Sequence, residues 1–178
     1  MSSWQTSACE ERAFALAEAD FADVVREHER MVFSIARNMV GDPAAAEELA
    51  QEAFLELFRH RDEIESKSHL LFWLRRVTTN RCIDAIRRRR PMLAIDEVPE
   101  LSEPARYRDP LMSRALRSGM QELPSGQRAV ITLRYQEELG LSEIAEALAL
   151  PLPTVKSHLR RGLARLRTQL ETLSRRSP

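Results

Sequence analysis

The chain has 178 residues, with 27 Lys and Arg balanced by 27 Asp and Glu, and only five Gly and two Cys. That length suits one medium domain or two small ones, and the scarce Gly with abundant charge favours a soluble, mostly helical protein over an all-β one. No run of eighteen apolar residues occurs, and the opening "MSSWQTSACEERAF" lacks the charged-then-apolar layout of a signal peptide. A cytoplasmic protein with no membrane insertion is therefore expected. Cys9 and Cys82 form no CxxC pair, and His28, His60, His69 and His158 are scattered, so neither a metal site nor a cofactor is expected. GxxxxGK[ST], HExxH and GxSxG are all absent, which argues against an enzyme.

The zero net charge hides a strong alternation. Residues 1–58 hold twelve acids against four bases, and 59–90 hold ten bases against four acids. Residues 91–110 turn acidic, five to two, and 151–178 carry seven bases and one acid. Beyond a Debye length of about 8–10 Å a local field matters more than the molecular total, so two basic zones remain candidates for nucleic acid.

In chain order, residues 1–19 read as an N-terminal extension. Asp20 can cap a helix whose Phe21, Val24, Val25, Met31, Val32, Ile35 and Met39 follow the 3.6 period to Gly41. A second helix restarts with Asp42 as N-cap and Pro43 in its first position, and buries Ala46, Leu49, Ala50, Ala53, Phe54 and Leu57. Its opposite face carries Glu47, Glu48 and Glu52, a surface suited to solvent or to a basic protein. After the charged "RDEIESKSH", Ser66 or Ser68 can cap a third helix. One side of it holds Leu70, Leu71, Leu74, Thr78, Cys82 and Ala85; another holds Arg76, Asn80, Asp84 and Arg87, with Trp73 at the upper end. Asn can pair with adenine, Arg with guanine or phosphate, and an aromatic can stack on an unpaired base. From the residues alone, this stripe fits a solvated face as well as a base-reading one, and Trp73 fits the core better than a stacking platform.

"PMLAIDEVPELSEPARYRDP", 91–110, has four Pro and no helical period, and reads as an acidic linker. The second domain, 111–174, opens at Asp109-Pro110. A helix over "LPSGQRAVITLRYQEEL" is expected to end near Gly140, and Ser142 can cap a short helix. "LPLP" turns the chain, and Thr154 can cap a long helix with an apolar stripe of Val155, Leu159, Leu163, Leu166, Leu170 and Leu173. Lys156, Ser157, Arg160, Arg161, Ala164 and Thr168 point the other way. A short helix, a turn and a basic second helix describe a helix-turn-helix, although the turn carries Ala149 where many such motifs have Gly. The expected fold is thus all-α: two small helical domains, at 20–90 and 111–174, joined by a Pro-rich acidic linker, the second ending in a helix-turn-helix.

The segments "AEELAQEAF", "FWLRRVTTNRCIDAIRRRR" and "LPSGQRAVITLRYQEELGLSEIAEALALPLPTVKSHLRR" together resemble a sigma-70-type RNA polymerase sigma factor of the extracytoplasmic-function group. That group keeps only the second and fourth conserved domains. The resemblance implies that Glu47, Glu48, Leu49, Gln51, Glu52 and Phe54 dock on the core polymerase. Residues 62–69, including Ser66 and Lys67, would capture a base flipped from the −10 element, and Trp73, Arg76, Asn80, Asp84 and Arg87 would hold the melted strand. Thr154, Lys156, Ser157, Arg160 and Arg161 would read the −35 duplex, with Arg128 and Arg134 near phosphates. The linker acids Asp96, Glu97, Glu100 and Glu103 would lie in the polymerase's RNA path, and an anti-sigma protein would be a further partner. Glu48 stands where the family often has Asp, and Ala50 and Ala53 replace larger aliphatics. From a different class, the competing reading is a stand-alone helix-turn-helix regulator whose N-terminal bundle binds a protein or a ligand.

Overall fold

The computed structural model describes residues 18–89 and 110–174. The expectations placed on residues 1–17, and the linker reading except at Pro110, lie outside them. Helix α1 spans Glu18–Val40, so Asp20 lies in its first turn rather than ahead of it. The expected stripe holds: Val24, Val32, Ile35 and Met39 are buried. Gly41 ends the helix in a left-handed conformation, φ +81°, its N–H donating to Arg37 O at 3.0 Å. Asp42 then caps α2, Pro43–Arg59, by accepting from Ala45 N at 2.9 Å, with Pro43 in the first turn where its missing N–H costs nothing. Ala45, Ala46, Leu49, Ala50, Ala53, Phe54 and Leu57 are all buried.

A 3₁₀ turn, Arg61–Glu63, follows; the Arg61 guanidinium lies 4.5 Å from the centre of the Phe58 ring, which meets Phe21 edge-on. Ser66 Oγ accepts from His69 N at 3.1 Å and starts α3, Lys67–Arg89, which settles the choice between the two serines. Leu70, Leu74, Thr78 and Cys82 are buried on α3. Arg81 ties its flank to α2 through Glu52, at 3.8 Å, and Glu56. Burial pushes the Cys82 thiol up to about 12, so it is neutral and inert at physiological pH.

The second half comprises α4 (Pro110–Glu122), α5 (Ser125–Tyr135), α6 (Leu141–Ala147) and α7 (Leu152–Ser174). Among the described residues there is no strand. Three boundaries differ from the sequence reading, each for a local reason. α5 stops at Tyr135, short of Gly140, because Glu138 takes φ +56° and Leu139 N folds back to Leu133 O at 3.1 Å. α6 is capped from within, by the Glu143 carboxylate accepting from Gly140 N at 2.6 Å, which leaves Ser142 inside the helix. α7 begins at Leu152, with Thr154 N and Val155 N both donating to Pro151 O, so Thr154 sits in the first turn rather than capping it.

Between α6 and α7 the chain closes a Schellman turn: Leu150 N donates to Ala145 O at 2.9 Å and Ala149 N to Glu146 O at 3.1 Å, with Ala149 at φ +50°. Val155 and Leu166 of α7 are buried, but Leu163, expected on the same stripe, is 38% exposed. Gly162 occupies the inward position instead; a Cβ there would meet Ile131 Cδ1 at 2.7 Å. This glycine lets α7 approach α5 closely.

The two halves are not separate bodies. Ala129 of α5 is buried in one apolar cluster with Ile35, Ala36, Met39, Ala46, Leu49 and Cys82, and Leu148 packs on it. Phe72 of α3 reciprocates, packing on the cluster of Val130, Leu133, Leu139, Ile144, Ala147 and Val155. α3 therefore has a third face that the sequence reading did not separate from the polar one.

Candidate protein and nucleic-acid interfaces

The outward side of α2 is built by its own period: burying Ala46, Leu49, Ala53 and Phe54 turns Glu47, Glu48 and Gln51 to solvent. Leu49 and Phe54, named with them as contacts, are buried and support the helix from beneath. Glu52 and Glu56 are engaged by Arg81, so the free negative charge of this face rests on Glu47 and Glu48. Sequence reasoning missed Leu55, which stands 57% exposed on the same side. Its signal was its position off the buried stripe: a large aliphatic with no inward place to go. An apolar centre with charged neighbours is the layout of a protein-binding surface.

On α3, Arg76, Asp84 and Arg87 are exposed, and Lys67 is exposed at the helix start. Asp84 and Arg87 lie 4.0 Å apart and both remain solvated, so their pairing contributes little. Ser66 is engaged as the cap. Trp73 is half-buried, packed on the α1–α2–α3 core with His60 beside it at 6.1 Å between ring centres. Asn80 is half-buried and its amide donates to Ala147 O of α6 at 3.5 Å, a long bond. One turn earlier, Arg75 pairs with Glu137 at 2.8 Å. The stripe is thus divided: Arg76, Asp84 and Arg87 stay open, and Asn80 turns toward the second half.

On α7, Lys156, Arg160 and Arg161 are exposed, with Thr154 and Ser157 half-buried beside them. The basic face is continuous and unobstructed by the described residues. Arg134 at the end of α5 is exposed and donates to Leu139 O at 2.9 Å, holding the turn into α6. Arg128 is placed very differently from an open phosphate contact. It is 5% exposed, and donates to Gln121 Oε1 at 2.7 Å, Leu123 O at 3.0 Å, Gln121 O and, across the two halves, Met39 O. Burial lowers this guanidinium to about 10, still a cation at neutral pH. The C-terminal carbonyls of α1 are the negative end of its dipole, which favours a cation there.

Among the described residues no group of three or more His, Cys, Asp or Glu is placed to hold a metal ion, and no helix is long and apolar enough to cross a membrane. A three-helix unit with an open acidic helix and an arginine-rich one, joined to a unit with a free basic helix-turn-helix, defines a helical transcription factor. Comparison with known proteins narrows the class. The model of sigma-70 region 2 matches residues 24–91 and that of sigma-70 region 4 matches 113–166. The chain is 34% identical over 168 residues to the ECF RNA polymerase sigma factor SigW of Bacillus subtilis, covering 86% of this chain and 90% of that protein. It is also 34% identical over 158 residues to the RNA polymerase sigma-E factor of Streptomyces antibioticus, covering 86% of each. A similar fold occurs in the sigma factor RpoE of Bartonella quintana, solved with the anti-sigma factor NepR, with a TM-score of 0.70, 21% identity and coverage of 85% of this chain and 97% of that one. CnrH, solved with the cytosolic domain of CnrY, gives 0.63 at 20% identity, covering 88% and 90%. The chain belongs to the sigma-70 family of RNA polymerase sigma factors, in the extracytoplasmic-function group.

Proposed function

We propose that this chain binds core RNA polymerase, directs it to promoters with −35 and −10 elements, and promotes their opening. It acts as an initiation factor rather than as an enzyme, in the cytoplasm where the polymerase works. The observation that supports this best is the coexistence on one molecule of an open acidic face centred on Leu55 and an open basic face on α7. A regulator that only bound duplex would need the second alone. Residues 20–90 serve as the polymerase- and −10-binding domain and 111–174 as the −35-binding domain, joined through 91–110. An anti-sigma protein is the expected regulator, as NepR is in the complex with the sigma factor RpoE.

Glu47, Glu48, Gln51 and Leu55 form the docking surface, with Leu49, Glu52 and Phe54 holding it in place. Lys156, Ser157, Arg160 and Arg161 enter the major groove, where arginine reaches guanine edges or phosphates, and Thr154 and Arg134 flank them. Opening the −10 element means unstacking bases at a few kcal/mol each, least where steps are A·T-rich. Residues 62–69, with Trp73, Arg76, Asn80, Asp84 and Arg87, trap bases that open thermally, so no nucleotide hydrolysis is required. The test is run-off transcription. Purified core enzyme plus this chain gives promoter-specific transcripts, whereas footprinting of duplex by the chain alone, with no transcript on adding core, would leave a regulator. Asn80→Ala slows open-complex formation and leaves core binding intact; equal loss of both would make the residue structural.

A further inference from the structure

The junction between α2 and α3 carries a histidine to which the sequence reading gave no role. His60 is the C-cap of α2: its backbone N–H donates to Glu56 O and to Leu57 O, both at 3.1 Å. Its Nδ1 lies 2.9 Å from the same Glu56 carbonyl. A carbonyl oxygen can only accept, so Nδ1 carries the proton, and in the neutral ring Nε2 is left as a lone-pair acceptor. Main chain and side chain thus fix the ring on one helix end, where the last carbonyls lack donors. Among the described residues nothing bonds Nε2, and it is not one of the buried polar atoms without a partner, so it is reached from solvent. The ring stands beside Trp73, with 6.1 Å between centres and 40° between planes, and Trp73 is itself only half-buried against the α1–α2–α3 core. The surrounding cations differ in availability. Arg61 is occupied, donating to Phe58 O at 2.9 Å and lying over the Phe58 ring, whereas Arg59 and, one turn beyond Trp73, Arg76 are exposed. An aromatic platform, an acceptor beside it and exposed cations are the parts that hold one unpaired nucleotide by its face, its edge and its phosphates.

We propose that His60 is a specificity-determining residue of strand capture: its Nε2 accepts from the exocyclic amine of an unpaired adenine or cytosine stacked on Trp73. This deepens, and rests on, the reading of α3 as the strand-holding helix. At the corresponding ring position guanine and thymine carry a carbonyl oxygen, which would set a second acceptor against the Nε2 lone pair. Two opposed acceptors cost more than a bond never made, because both groups give up water for nothing. His60 therefore selects amino over keto bases at one unpaired position. Because the ring is held before DNA arrives, little ordering entropy is left to offset the bond.

The test uses the full chain with core polymerase, titrated on promoter fragments already unpaired across the −10 region. Each unpaired adenine is replaced in turn by purine and each unpaired cytosine by 2-pyrimidinone, which removes the amine alone. With the wild-type chain, amine removal at one position is expected to weaken binding about fivefold. His60→Phe keeps a ring beside Trp73 and lacks both nitrogens; there the same replacement costs nothing, a non-additivity that a merely structural C-cap would not produce. His60→Arg presents donors only and is expected to shift the preference at that position toward guanine or thymine. Circular dichroism checks that each variant folds. Should loss of the Glu56 bond unfold His60→Phe, His60→Arg carries the test, since a cation suits a helix C-terminus. Amine removal that costs the same in wild type and His60→Phe at every position, or an unchanged base preference in His60→Arg, overturns the role of His60. Wild-type holoenzyme that gives no transcript from the paired promoter sinks instead the initiation reading beneath it.

Discussion

The boundary between the halves and the outward faces of α2 and α7 use the same residue types to opposite ends. Arg160 and Arg161 on α7 stand in solvent with nothing against them, whereas Arg128 and Arg75 are held by carbonyls and by a carboxylate. A basic residue in a sequence therefore carries no label for availability. Which arginines are free is decided by whether an apolar neighbour pulls the surface inward: Phe72 and Ala129 do so at the boundary, and α7 has no counterpart on its basic side.

The strongest way to break that contrast is to remove the most engaged arginine. Arg128→Leu leaves buried carbonyls of Gln121, Leu123 and Met39 without a donor, and is expected to lower the unfolding free energy by roughly 3 kcal/mol in urea denaturation. A change within experimental error would mean that the buried contacts carry no net stability. At the open α2 face, Leu55→Asp should leave the melting temperature unchanged and weaken core polymerase binding by about 2 kcal/mol, a factor of roughly 30 by titration. Unchanged affinity would move the docking surface elsewhere. On α7, Arg161→Ala is expected to cost about 1.5 kcal/mol on duplex −35 DNA, and the loss should vary with base sequence if the guanidinium reads guanine. Uniform loss across variants, with a shallower salt dependence, would assign it to phosphate. Smallest of all, Ala149→Gly should stabilise the fold by about 0.5–1 kcal/mol, since only the substituent strains φ +50° there. Destabilisation would show that the methyl group packs.

Much of this was legible in the sequence, and what was not shares a physical cause. Asp42 and Pro43 announced α2 because a cap and its helix are neighbours in the chain, and Val24, Val32, Ile35 and Met39 announced the α1 core because one face of one helix repeats locally. The helices α6 and α7 start two and three residues earlier than caps at Ser142 and Thr154 would place them, because Glu143 and the Pro151 carbonyl serve ends that those two residues were equally suited to serve. The boundary was unreadable, since Arg128 meets Met39 across 89 positions and Arg75 meets Glu137 across 62. Its only trace was Phe72, with Ile83 and Ile86, apolar residues lying outside the stripe that closes the first bundle.

The contact between Gly162 and Ile131 sets a mechanical condition on how the protein meets a promoter. With only a hydrogen atom between the α7 backbone and the Ile131 side chain, the approach of the probing helix near its midpoint is limited by that side chain's packing. A methyl group there would displace the terminal methyl of Ile131, so that side chain must turn aside for α7 to keep the tilt at which Lys156 and Arg160 are presented.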